Sequence, residues 1–125
     1  MEISKFFKSL VDQDRCAVVI CNVEHEIIYM NPAAVLRYAK RGGADLIGKN
    51  LLDCHNPKSK ELIKETVAWF GESTEHNIVY TFHNDKENKD VYMIALRDDN
   101  RELIGYYEKH EYRSAETMKM YDLKK

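Results

Sequence analysis

Apolar residues Ile3, Phe6, Phe7, Leu10 and Val11 recur at helical spacing, with Lys5, Lys8, Ser9 and Asp12 between them, so residues 2–12 predict a short amphipathic helix. Its stripe needs a cover, either the sheet of its own domain or a second copy of the chain. The period then changes. Cys16 to Asn22 is a β-branched run, Glu24-His25 a polar turn, and Glu26 to Met30 the second strand of a hairpin. Asn31 followed by Pro32 predicts a capped helix start, because the asparagine oxygen can accept a free amide and proline lacks one. That helix runs through Val35, Leu36 and Tyr38 and stops before Arg41-Gly42-Gly43. Ala44 to Lys49 predicts a helical turn closed by Gly48, and Asn50 to Asp53 a second tight turn. The same Asn-Pro start recurs at Asn56-Pro57, opening a helix to Phe70 with Leu62, Ile63, Val67 and Phe70 as its apolar stripe and Gly71 as its stop.

The last third alternates at strand period. Asn77 to His83, Lys89 to Arg97 and Leu103 to Tyr112 predict three strands, joined by the turn-rich Asn84 to Asn88 and Asp98 to Arg101. A meander of three antiparallel strands follows. Tyr80, Phe82, Tyr92, Ile94, Tyr106 and Tyr107 bring aromatic and apolar bulk, which alternation divides between an inner and an outer face. The outer set needs a cover, and the helix at 2–12 is the candidate. The expected organisation is an N-terminal helix at 1–14, one domain at 15–112 and a polar tail at 113–125 that could continue as a helix capped at Ser114.

The chain has 125 residues, enough for one core. Nineteen basic residues against 21 acidic leave a formal charge of −2, which gives no long-range attraction to nucleic acid or to an anionic membrane. Cys16, Cys21 and Cys54 form no CxxC pair and follow no signal-like stretch, pointing to a reducing cytoplasm rather than a disulfide framework or zinc site. No apolar run approaches the roughly 20 residues needed to span a bilayer, so a soluble protein is expected.

Asn31-Pro32-Ala33-Ala34 after a strand, Leu46-Ile47-Gly48-Lys49 about a dozen residues later, and the capped helix from Pro57 before three more strands resemble the PAS family of bacterial sensory domains. The resemblance covers residues 16–112. It implies an α+β fold, a five-stranded antiparallel sheet with helices on one face, here preceded by an N-terminal amphipathic helix. It also implies a binding and signalling module, in a family whose members include haem, flavin, small-organic-acid and ligand-free domains. The flavin photosensor motif Gly-Arg-Asn-Cys-Arg-Phe corresponds to Gly48-Lys49-Asn50-Leu51-Leu52-Asp53. A leucine replaces the adduct-forming cysteine, which argues against photoadduct chemistry.

The most unusual local sequence is Cys54-His55-Asn56-Pro57-Lys58-Ser59, which resembles a Cys-His-Pro-Pro-Lys-Ser segment of a bacterial PAS subgroup. It sets a thiol, an imidazole and a helix start within one turn. His55 is a candidate axial ligand for haem iron, and the free amides with Lys58 a candidate anion site. The structural alternative is that His55 and Asn56 satisfy backbone groups at the helix entry. His76 and His83, seven apart, are expected on opposite faces of one strand. His25 in a turn and His110 near a strand end are expected at the surface. No nucleophile-elbow spacing is present, so an enzyme is not expected. A small ligand between sheet and helices would meet Tyr29, Leu36, Leu52, His55, Ile63, Val67 and Tyr80. Signalling is expected through a homodimer paired by residues 2–12, to a downstream signalling protein. The alternatives are a ligand-free dimerisation or docking module, and a haem-based redox or gas sensor using His55.

Overall fold

The structure, a computed structural model, describes residues 2–124. Helix α1 spans Ile3–Asp12. Strands β1 (Val19–Asn22) and β2 (Ile27–Met30) form a hairpin. Helix α2 covers Pro32–Arg37, and three single 3-10 turns follow at Ala39–Arg41, Gly43–Leu46 and Leu51–Cys54. Helix α3 (Pro57–Glu72) leads into β3 (Ile78–Asn84), β4 (Lys89–Arg97) and β5 (Leu103–Tyr112). All pairings are antiparallel, in the spatial order β2-β1-β5-β4-β3. The sheet is therefore closed in the middle by the first and last strands. This is the α+β architecture that the sequence resemblance implies.

Both Asn-Pro starts form as capped helices. Asn31 Oδ1 accepts from Ala34 N at 2.9 Å, and Asn56 Oδ1 from Ser59 N at 2.8 Å. Gly48 takes φ +93°, a left-handed conformation natural to glycine. Its amide reaches Ile27 O at 2.7 Å, drawing the 3-10 region onto the edge of β2. Period two on β4 sends Val91, Met93 and Ala95 inward. Their cross-strand partners His110, Glu108 and Tyr106 therefore share the inner face. Phe70 and Val67 from α3 close the core against Met93, with Ala34, Ile27 and Cys21 in the same cluster.

Several local expectations are corrected. Strand β1 starts at Val19 rather than Cys16, because Val18 N is taken by Asn31 Oδ1 instead of a neighbouring strand. The tail at 113–124 is not helical; its one apolar side chain near the body, Met118, receives only a contact from Arg15. The α1 stripe does not cover the domain's own sheet. Ile3, Phe6, Phe7 and Leu10 remain exposed, Leu10 by 73%, since the helix is held mainly at its end, through Asp12 to the Tyr29 hydroxyl and Val11 O to Asn31. His76 lies before β3, stacked on Trp69 with ring centroids 3.8 Å apart. A register shift between Tyr80 and Phe82 also breaks the simple parity along β3, so the strand-face argument for His76 and His83 does not apply.

Candidate functional site

A cavity of about 330 Å³ lies between the inner face of the sheet and the helical segments. Strands β1, β4 and β5 supply Val19, Cys21, Met93 and Tyr106. The opposite wall comes from Leu46, Leu51 and the first turns of α3, through Ile63. The surface is mostly apolar, as expected of a small-molecule pocket carrying a few oriented polar groups. Those groups are Tyr38, Arg41, Cys54, His55, Glu108 and His110.

Several groups on the cavity wall have a definite electrostatic setting. His55 ends the 3-10 turn and donates its backbone N–H to Leu52 O at 3.1 Å, leaving the ring half-buried on the cavity wall. Burial, reinforced by Arg41, lowers its pKa, so the imidazole is neutral. Tyr106 is buried; its hydroxyl meets His25 Nδ1 at 2.8 Å, and burial with the nearby Cys21 thiol raises its pKa far above the usual phenol value. Burial likewise pushes the Cys21 thiol up to about 11, so it is an inert apolar group here. Glu108 is raised by burial against the opposing pull of Lys89 and Arg37. His110 is lowered to about 4, by burial first and then by Lys89 and Arg37. Both cations are engaged by Glu87: Arg37 through two bonds of 2.9 and 2.8 Å, and the almost fully buried Lys89 at 3.4 Å.

Of the residues singled out from sequence, His55 and Ile63 line this cavity. The others do not. Tyr29 faces the outer side, opposite Ile20, because Ile27 and Met30 occupy the inner positions of β2. Leu36 is 79% exposed, since α2 turns Ala34 toward the core instead. Leu52 is buried behind Leu51, which takes the lining position. Val67 packs in the solid core with Phe70, one turn beyond Ile63 along α3. Tyr80 lies on the outer face opposite Tyr92, 57% exposed, with its hydroxyl donating to Asp90 at 2.9 Å. Lys58 is exposed and does not line the cavity, and Asn56 Oδ1 takes the Ser59 amide at the α3 start.

The expected surface histidines are also displaced inward. His25 is tied to Tyr106, and the His110 side chain is 6% exposed. Glu108, His110, Tyr38, Tyr106 and Arg41 are the cavity groups that sequence reasoning missed. The available signal was pairing: the apolar inner set of β4 faces Tyr106, Glu108 and His110 across the strand. Among the described residues no cluster of three or more His, Cys, Asp or Glu side chains has metal-binding geometry. No described helix is long and apolar enough to cross a membrane.

Solved structures similar to this chain support the fold. The PAS domain of a protein from Colwellia psychrerythraea matches with TM-score 0.65 at 16% identity, covering 90% of this chain and 98% of that one. The PAS domain of BvgS from Bordetella pertussis gives TM-score 0.61 at 17% identity, covering 92% and 89% respectively. The Aer2 receptor from Vibrio cholerae, described as a dual PAS-heme oxygen sensor, gives 0.57 at 20% identity, covering 75% and 90%. No curated protein matches the sequence. A family model described as PAS domain matches residues 15–108, which take in all five strands at least in part and the cavity-lining residues other than His110. PAS domains are generally sensory, non-enzymatic modules, and on that match this chain belongs to the PAS domain family.

Proposed function

We propose that the chain is a non-enzymatic sensory module that binds a small molecule in the cavity and passes its occupancy to a downstream signalling protein through a homodimer paired by α1. The observation that carries this reading is the cavity itself. A domain whose only role was docking would gain stability by filling about 330 Å³ of interior with its own side chains. The exposed apolar stripe of α1 supports pairing, because such a stripe is costly to leave in water. Transmission follows as a population shift: a ligand that favours one packing of the helical segments on the sheet also favours one placement of α1.

Haem ligation by His55 is the second reading, favoured by the half-buried, neutral imidazole on the cavity wall. The opposite wall supports a compact ligand carrying a polar group better, because Glu108 and His110 face the same space. Native mass spectrometry and an absorbance spectrum on the protein as purified separate these. A colourless extra mass supports the metabolite sensor, and a Soret band lost in His55→Ala supports haem. An empty protein that gains no melting temperature across a metabolite panel overturns ligand sensing and leaves a docking module.

A further inference from the structure

His110 presents a polar atom that the protein does not answer. Its side chain is 6% exposed, and its Nδ1 has no hydrogen-bonding partner among the described residues. An unpaired buried polar atom costs about 1–3 kcal/mol, so native structures rarely retain one without a reason. Its other nitrogen, Nε2, stands 3.4 Å from Glu108 Oε1. An ionised Glu108 accepts and does not donate, so it favours the tautomer with the proton on Nε2, which leaves Nδ1 as an acceptor.

Glu108 and His110 occupy alternate positions of β5 and both line the cavity. Their carboxylate and lone pair form a small accepting patch within a wall of Ile27, Met30, Leu46 and Met93. Neither Lys89 nor Arg37 is free to reverse the character of this patch, because both are engaged by Glu87. Nδ1 is closed off from water as it stands. A ligand in the cavity reaches it only if the ring turns about its Cβ–Cγ bond, which exchanges the approach of Nε2 to Glu108 for a contact with the ligand. A ligand that answers it therefore gains an interaction that solvent does not supply in the free state, which is the differential affinity a sensor requires.

Building on the ligand-sensing reading above, we propose that the ligand is a compact, mainly apolar molecule carrying a hydrogen-bond donor, an amide, amine or hydroxyl group, that engages Glu108 and His110. A carboxylate head group of the same size meets Glu108 as a like charge at this end, and Arg41 is the one lining cation among the described residues that it could turn to instead.

The test is melting temperature and calorimetric affinity of the full chain with four probes of one shape: benzamide, benzylamine, benzoate and toluene. Benzamide and benzylamine are expected to raise the melting temperature where benzoate does not. His110→Phe is expected to weaken both donor probes about tenfold, one hydrogen bond's worth, while toluene binds at least as well. Glu108→Gln is expected to narrow the gap between benzoate and benzamide. Benzoate binding the unaltered protein as tightly as benzamide overturns the donor assignment and leaves the cavity reading standing. So does His110→Phe binding the donor probes at full strength. If no probe binds, toluene included, the cavity does not admit ligands and both readings fail. The head-group comparison needs no variant, so a folding defect in His110→Phe does not remove the test.

Discussion

Asn31 and Val18 are joined by a buried hydrogen bond in which Asn31 Oδ1 accepts the Val18 N–H at 2.9 Å. The same oxygen caps α2 at Ala34 N, while Nδ2 donates to Val11 O at 2.9 Å and Cys16 O at 3.0 Å. The side chain is fully buried. One amide thus fixes the end of α1, the entry to β1 and the start of α2. Any change in how α1 sits is coupled through it to the hairpin that forms one wall of the cavity.

Asn31→Ala should therefore cost about 3 kcal/mol or more, since it strands buried donors and acceptors as well as removing a cap. Asn31→Asp keeps the accepting oxygen but sets a carboxylate oxygen against Val11 O and Cys16 O, so it should recover part of that loss only where the acid is protonated, at low pH. Urea denaturation of the two variants checks this. A loss under about 1 kcal/mol for Asn31→Ala would mean the backbone groups find other partners.

The Asn-Pro helix starts and the β4 and β5 boundaries were legible because caps and turns are local chemistry. Face assignment was not local. In β5 the alternate sets Tyr106, Glu108, His110 and Tyr107, Lys109, Glu111 are both polar enough to face water. Period two groups them without saying which set turns inward. The decision comes from β4, whose apolar Val91 and Met93 pair with His110 and Glu108. Period two on β3 alone gives Tyr80 no direction; its pairing with Tyr92 sets it outside. In short helical pieces the same ambiguity holds: Ala34 rather than Leu36 turns inward, and Leu51 lines the cavity while Leu52 is buried off it.

Acid should unfold the protein in two windows. His110 has its pKa lowered by burial from its ordinary 6.5 to about 4, so the unfolded chain binds the extra proton first and stability falls as pH drops from 6.5 toward 4. Glu87 is held down to about 2 from 4.5, chiefly by Arg37. Its contribution is present above pH 4.5 and is lost as pH falls toward 2. His110→Phe should make the upper window shallower, His55 and His25, also lowered by burial, supplying the rest. Arg37→Ala should make the lower one shallower, Asp90 being held down to about 2 by Arg113 independently, and should cost only about 1 kcal/mol at pH 7, because this ion pair is partly solvated. Denaturant midpoints measured across pH would refute these assignments if the two variants retained the full slopes.

Gly105 sets how closely β1 and β5 approach. A Cβ built there would overlap the carbonyl oxygen of Cys21, a backbone atom with no rotamer by which to withdraw. Gly105→Ala should cost about 3 kcal/mol by forcing the two central strands apart. Because Cys21 and Tyr106 both line the cavity beside this contact, ligand affinity should fall with stability. The neighbouring exposed position serves as control: Ile104→Ala should leave the melting temperature almost unchanged. A native-like melting temperature for Gly105→Ala would show that the strands can separate without loss.

The pairing proposed for α1 makes a prediction that stability measurements alone cannot imitate. Phe6 and Leu10 are exposed in the single chain, so Phe6→Asp with Leu10→Asp removes little packing within the domain and should leave the melting temperature of a dilute sample nearly unchanged. In a dimer the same side chains would be buried, at about 1.5–3 kcal/mol each, and two charges would take their place in the contact. Light scattering should therefore show the parent chain as a dimer and the variant as a monomer, with the cavity still able to bind its ligand. A variant that remains dimeric would move the interface away from α1. A variant that is monomeric and also fails to bind would show that pairing shapes the cavity as well as reporting on it. The link between Val11 O and Asn31 provides the path for that coupling, because Asn31 holds β1 and α2 in place.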